Sequence, residues 1–353
     1  MASRNLSNNN SKLINVVCAV LFVLFTFCYL YFYQADVIAA AQHVFSGGQT
    51  RYDRLIGAVL ITVGLFCLHL VFLGITRLTY RAHALTFYPS LLALLVLTSV
   101  RISGSNQGSF GPWLWLAPLL LAVVCFVAYL VRKYEVFEKV RKPVGIFSKV
   151  FWSNVLLLCF GFFFVGFFAN NDDVFHYRMR AESLLLKRDY EGALRVGQKS
   201  LATDSSLTLL RIHALAKSHQ MGERLFEYPL VGGSRVLIPN GKTALTVMYP
   251  NDKFVPVPQG DFVLCSYLLD RKIDAFAIKV KRYYDLDSPL PKHYREALVL
   301  YNHLRSNPVV AYKHEVAETD FADFQKLMRE CGRNKARLRD VYGNTYWYYY
   351  YEK

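Results

Sequence analysis

A few short stretches hold residue types at spacings that chemistry uses. Gly241-Lys242-Thr243 has the end of a phosphate-binding loop, but that loop needs a glycine five positions earlier, where Val236 stands. His314-Glu315-Val316-Ala317-Glu318 begins like a zinc-protease helix and lacks the second histidine, because position 318 is glutamate. His213 and His219 are six apart, a spacing that does not put two ligands on one helix face. No Gly-x-Ser-x-Gly nucleophile elbow occurs. The sequence therefore predicts no cofactor, no metal and no catalytic constellation. The acids that a membrane-edge enzyme would use are Asp172 and Asp173, which directly follow the last long apolar stretch.

Five of the seven cysteines (Cys18, Cys28, Cys67, Cys125 and Cys159) sit in apolar stretches and read as small fillers. Cys265 and Cys331 lie later in the chain, and a disulfide between them is left open.

The elements that must position such residues divide the chain in two. Of 353 residues, 54% are of apolar types and 19% are charged, with mean hydropathy +0.21. Soluble domains average about 25% charged residues, so the composition argues against an ordinary soluble enzyme. Residues 1–168 hold 13 Lys and Arg against 4 Asp and Glu, whereas residues 169–353 hold 28 against 22.

About 20 apolar residues cross the hydrocarbon core as a helix. Windows at 13–33, 55–76, 84–100, 112–131 and 150–168 meet or approach that length. The third is short and contains Pro89, which leaves open a tilted or re-entrant segment. The first, behind Arg4 and Lys12, is longer than a signal-peptide core and reads as an uncleaved anchor. His69 is the main ionisable residue within the spans and reads as a helix–helix hydrogen bond rather than a proton relay. That paucity of charge argues against transport.

Orientation follows from the loops. The N-terminal tail (Arg4, Lys12), the 2–3 loop (Arg77, Arg81) and the 4–5 loop (Arg132, Lys133, Lys139, Arg141, Lys142, Lys149) carry 2, 2 and 6 basic residues. The other two loops carry 2 and 1. The positive-inside rule places the N-terminus in the cytoplasm and residues 169–353 outside it. The basic 4–5 loop is a topology determinant, with an anionic-lipid site as the sharper alternative. The net charge of +15 thus has a topological component and implies no nucleic-acid partner.

Residues 169–353 read as one helical domain. The stretch Tyr177–Ser205 resembles a tetratricopeptide repeat, a pair of antiparallel helices in about 34 residues. Ala181 takes the small position of the first helix, and Asp189-Tyr190-Glu191-Gly192-Ala193 the turn and the opening of the second. Gly197 departs from the pattern where an aromatic is expected. A partial second copy aligns Ala214 with Ala181 and Met221-Gly222 with the turn near Arg188. Another pair breaks near Lys272, and a third copy runs from His293 to Pro308. Residues 229–260 interrupt this pattern with Pro and Gly, and Asn240-Gly241 predicts a short β-hairpin. A last helix is predicted from Thr319, as N-cap, to Cys331, with Gly332 as its stop. The basic cluster Lys326, Arg329, Arg333, Lys335, Arg337 and Arg339 reads as a solvated face. The six aromatics Tyr346–Tyr351 read as a final packed element, with ligand stacking as the alternative.

Across the whole chain, Leu290–Leu304 (LPKHYREALVLYNHL) and Tyr342–Tyr350 (YGNTYWYYY) resemble an uncharacterised family of multi-spanning proteins from Bacteroides-type bacteria. The resemblance implies membrane spans followed by a degenerate helical-repeat domain, in a bacterial inner membrane, and carries no activity.

The expectation is an all-α protein: a five-helix transmembrane bundle followed by an α-solenoid-like domain. It would lie in the bilayer and present a protein- or peptide-binding surface in the periplasm, with Tyr177, Leu184, Tyr301 and Trp347 as candidate partner-binding residues. The alternative is a membrane enzyme acting on lipid or glycan at the outer face.

Overall fold

The structure is a computed structural model that describes residues 2–78, 80–103, 107–137, 147–237, 246–250, 253–254, 259–332 and 335–352. It is all-α apart from one two-stranded antiparallel sheet, β1 (Arg101–Ser103) with β2 (Gln107–Ser109), in register Ile102 to Gly108. The chain forms two compact units, Met1–Asp172 and Asp173–Lys353.

The first unit contains α1 (Ala2–Cys28), α2 (Ala35–Phe45), α3 (Arg54–Thr76), α4 (Tyr88–Thr98), α5 (Trp113–Phe137) and α6 (Lys149–Phe168). Among the described residues, five helices are long and apolar enough to cross a membrane: Lys12–Tyr33, Arg54–Thr76, Arg81–Thr98, Trp113–Tyr134 and Lys149–Phe168. The chain is a multi-pass membrane protein by that measure. The third span is 61% buried, against 28% or less in the others, so it forms the centre of the bundle. Pro89 sits in its first α-helical turn, where no backbone N–H is needed, and the preceding residues Tyr80–Phe87 form a 3₁₀ segment kinked at Ala82. That change of helix type was not legible in the sequence.

The polar groups of this unit tie helices together. His69 Nδ1 lies 3.1 Å from the Thr86 hydroxyl, and its ring stacks on Phe87 at 3.7 Å. This is the helix–helix hydrogen bond expected of it. His83, missed in the sequence, is also buried, with its ring edge-on to His69. Asn154 on α6 accepts from Ala84 N–H at 2.8 Å and donates to the carbonyls of Arg81 and Val150. Its amide thus satisfies the Ala84 N–H and the Arg81 carbonyl beside the kink.

The first span ends in a π-helical turn, Tyr29–Tyr33, followed by the unforeseen short helix α2. Its apolar residues Val37, Ile38 and Ala40 face inward, and Asp36 pairs with Arg54 at 3.2 Å. Arg132, Lys133 and Lys149 of the basic 4–5 loop are described, whereas Lys139, Arg141 and Lys142 lie outside the described residues.

The second unit contains α7 (Asp173–Leu186), α8 (Tyr190–Arg195), α9 (Ser205–Lys217), α10 (Met221–Arg224), α11 (Gln259–Leu269), α12 (Ile273–Val280), α13 (Lys292–Leu304), α14 (Glu315–Cys331), α15 (Lys335–Tyr342) and α16 (Tyr346–Tyr351). The first six form three helical hairpins, α7/α8, α9/α10 and α11/α12, and all three turn in the same way. Arg188, His219 and Arg271 each take a left-handed conformation, with φ of 62°, 57° and 57°. Around each, the same two hydrogen bonds form. The Asp189, Gln220 and Lys272 N–H groups reach back to the Leu184, Leu215 and Tyr267 carbonyls. The Arg188, His219 and Arg271 N–H groups reach the Leu185, Ala216 and Leu268 carbonyls. This pair of bonds is the Schellman termination, made without the usual glycine. The first two turns lie 31 residues apart, so the Ala181–Ala214 alignment expected from sequence is off by two positions.

Gly197 closes α8 early at φ +62°, and a Cβ there would meet the Tyr177 ring at 2.8 Å. The departure from an aromatic at this position is therefore required by the packing. α13 does not repeat the hairpin turn: Tyr301 Oη accepts from Val309 N–H, and an extended stretch leads to α14. That helix starts four residues before Thr319, because the His314 side chain caps it by accepting from Ala317 N–H. Thr319 instead donates to the Glu315 carbonyl, while Gly332, at φ +50°, follows the last helical residue as expected.

The turn of the expected β-hairpin, residues 238–245, lies outside the described residues, as does Gly241-Lys242-Thr243. Its described flanks are not strands: Val236 and Leu237 close a 3₁₀ turn, and Val247–Tyr249 form a bend. Cys265 and Cys331 are both free thiols.

Candidate functional site

Two buried carboxylates organise the second unit. The first is Glu182 on α7, with no exposed surface. It accepts from three successive backbone N–H groups, those of Val247, Met248 and Tyr249. A single side chain thus holds the insertion onto the first hairpin. Burial pushes its pKa up to about 7, against the lowering effect of the three N–H donors and Arg178. Beside it, His213 on α9 hydrogen-bonds to Tyr249 Oη at 2.9 Å and packs edge-on to Phe254. Burial, helped by Lys217, lowers its pKa to about 4, so the ring is neutral at physiological pH. Arg211, 1% exposed, donates to the Val196 and Gly197 carbonyls and lies over the Tyr228 ring.

The second is Glu296 on α13. Its Oε2 accepts from His293 Nδ1 at 2.9 Å and from Tyr346 N–H at 2.7 Å, and its backbone carbonyl accepts from Trp347 Nε1 at 2.7 Å. His293 Nε2 in turn accepts from Phe226 N–H at 3.3 Å. That contact fixes the tautomer: the proton is on Nδ1, and Nε2 has no free lone pair. A histidine–carboxylate pair resembles a general base and its orienting acid, but here the basic nitrogen is already engaged. The pair is an anchor for α16, and the aromatic run packs as a core helix with Trp347 between Phe321 and Phe324. Arg271, the residue at the third turn, holds the other end of α16 by donating to the Tyr349 and Glu352 carbonyls.

Next to this anchor is a groove of about 380 Å³ between α13, α14, α15 and α16. Lys292, Arg295, His314 and Asp320 line it together with Val316 and Val341. It combines charged and apolar walls.

The four sequence-selected residues are placed differently. Tyr177 and Leu184, seven apart on α7, are half-buried and share one helix face. Tyr301 and Trp347 are 3% and 2% exposed, with their polar atoms engaged internally. Asp172 and Asp173 are exposed at the start of α7. Sequence reading missed Glu182, His293, Glu296 and Arg295. The only signal for the middle two was a histidine and a glutamate three apart on an amphipathic helix.

Residues 260–353 match the model of a family of unknown function, DUF6057. Both sequence stretches that resemble an uncharacterised family, Leu290–Leu304 and Tyr342–Tyr350, fall within that match. So do the Glu296 anchor and the groove. No curated protein and no solved structure matches the chain.

Proposed function

We propose that this chain is an inner-membrane protein whose five helices carry a tetratricopeptide-like domain outside the cytoplasm, where it binds a protein or peptide. The observation that carries the reading is the turn made three times with the same hydrogen bonds, at Arg188, His219 and Arg271. Helical hairpins joined by one recurring turn build extended surfaces used for binding proteins and peptides. The half-buried Tyr177 and Leu184 on α7 belong to that surface. The arrangement of His293, with Nε2 taken by a backbone donor, gives no support to an enzyme at this position.

Topology rests on the basic loops. A reporter fused after Lys353 should read as extracytoplasmic, and a cytoplasmic signal would overturn the orientation. Affinity purification of the tagged full chain from detergent should recover a reproducible protein partner. Recovery of none across repeated preparations counts against the interaction reading.

A further inference from the structure

Donors and acceptors in the groove between α13, α14, α15 and α16 do not balance. Glu296 is engaged at Oε2, which two donors reach, and Lys292 Nζ lies 4.0 Å from Oε1. Lys292 itself donates to the Asn344 carbonyl at 3.0 Å. His314 Nδ1 accepts from Ala317 N–H, so when the ring is neutral its proton is on Nε2, which adds a donor. Arg295 is half-buried, and among the described residues its guanidinium makes no hydrogen bond and no ion pair. A guanidinium offers five N–H donors in a planar fork that fits a carboxylate in two parallel bonds. Partial burial strengthens such a pair relative to one in open water. Apolar surface lies alongside: Val316 and Val341 are 65% and 56% exposed. The opposing charge is Asp320, exposed on α14 and not paired with Arg295.

We propose that this groove binds a peptide carboxylate, with Arg295 as the anchor, His314 Nε2 as a second donor and an adjacent apolar side chain against Val316 and Val341. The inference rests on the peptide-binding reading and names the ligand chemistry for one surface of that domain. Asp320 repels a carboxylate, so it opposes binding rather than contributing to it.

The carboxylate can come from an acidic side chain or from a chain terminus, and three fluorescein-labelled octapeptides separate these sources. One alternates leucine and glutamate with an amidated end. The second alternates leucine and glutamine with a free C-terminal carboxylate. The third alternates leucine and glutamine with an amidated end. Binding to the full chain in detergent micelles is read by fluorescence anisotropy at physiological ionic strength. A carboxylate-bearing peptide should bind and the neutral one should not. Arg295→Gln should weaken binding about tenfold or more, as expected for loss of a charge-assisted pair. Arg295→Lys, which keeps the charge and loses the fork, should fall between, and Asp320→Asn should tighten binding. Circular dichroism of the variants should match the parent. Equal binding of the neutral peptide, or unchanged affinity in Arg295→Gln, would overturn the proposal. So would binding of phosphatidylglycerol vesicles through Arg295 with no peptide bound, which assigns the groove to lipid. Partner recovery that survives Arg295→Gln would leave the interaction domain standing and remove the groove from it.

Discussion

Replacing Glu296 with alanine tests whether the C-terminal helix is held by one buried carboxylate. The residue is 5% exposed, and its carboxylate receives His293 Nδ1–H and Tyr346 N–H. Truncation leaves both donors buried without an acceptor. Each such donor costs about 1–3 kcal/mol, so the expected loss is about 2–6 kcal/mol. A domain is stable by only about 5–15 kcal/mol, so the smaller value already changes local opening. The loss should concentrate at α16, because Tyr346 N–H belongs to its first turn. Hydrogen exchange with mass spectrometry on the full chain in detergent reads this directly. Exchange of the 346–352 peptide should quicken by about 30-fold or more, as a loss of about 2 kcal/mol implies. The exposed control Glu315→Ala should leave it unchanged. Less than about a threefold change in Glu296→Ala would refute the anchoring argument.

Three further outcomes follow from the same structure. Glu182, with its pKa raised to about 7 by burial, contributes stability that is complete below its ordinary value near 4.5 and is lost as pH rises through 7, about 3 kcal/mol in all. His213, lowered to about 4, works in the opposite sense and loses stability as pH falls from 6.5 through 4. Thermal unfolding from pH 4 to 8 should therefore be flatter in the parent than in Glu182→Gln, whose second unit should weaken with acid; identical profiles would contradict this. Gly197→Ala puts a Cβ against Tyr177 at a left-handed φ and should lower the unfolding free energy by about 1–3 kcal/mol, measured by denaturant titration. Asn154→Leu removes the acceptor for Ala84 N–H in the bundle and should destabilise the membrane unit by about 1–3 kcal/mol in a detergent-unfolding titration.

The spans were legible because the bilayer imposes one length and one composition, and the observed helices start and end within a few residues of the expected windows. What lay between them was less so. The kinked 3₁₀ entry to the third span depends on Asn154 of α6 to satisfy its backbone, a contact 70 residues away that no local pattern carries. Helical hairpins were visible as spaced alanines, but their register was not. The alignment followed Ala181 and Ala214, whereas the geometry is set by the left-handed Arg188, His219 and Arg271, arginine or histidine where a glycine would have marked the turn. The aromatic run Tyr346–Tyr351 announced burial without naming its partner. Glu296 and His293 were unremarkable letters in an amphipathic helix until the fold brought Tyr346 and Phe226 to them. Tyr301 was a candidate partner-binding residue in the third repeat copy, yet the missing hairpin turn after α13 folds Val309 back onto its hydroxyl.

Photo-crosslinking in living cells tests the central claim most directly, that the second unit binds a protein or peptide outside the cytoplasm. p-Benzoylphenylalanine is placed in turn at Tyr177 and Leu184, the half-buried pair on α7. The account predicts a discrete, reproducible adduct to an extracytoplasmic protein or peptide from at least one of the two positions. Irradiation that yields no adduct from either, with the chain present in the membrane at its normal level, would contradict it.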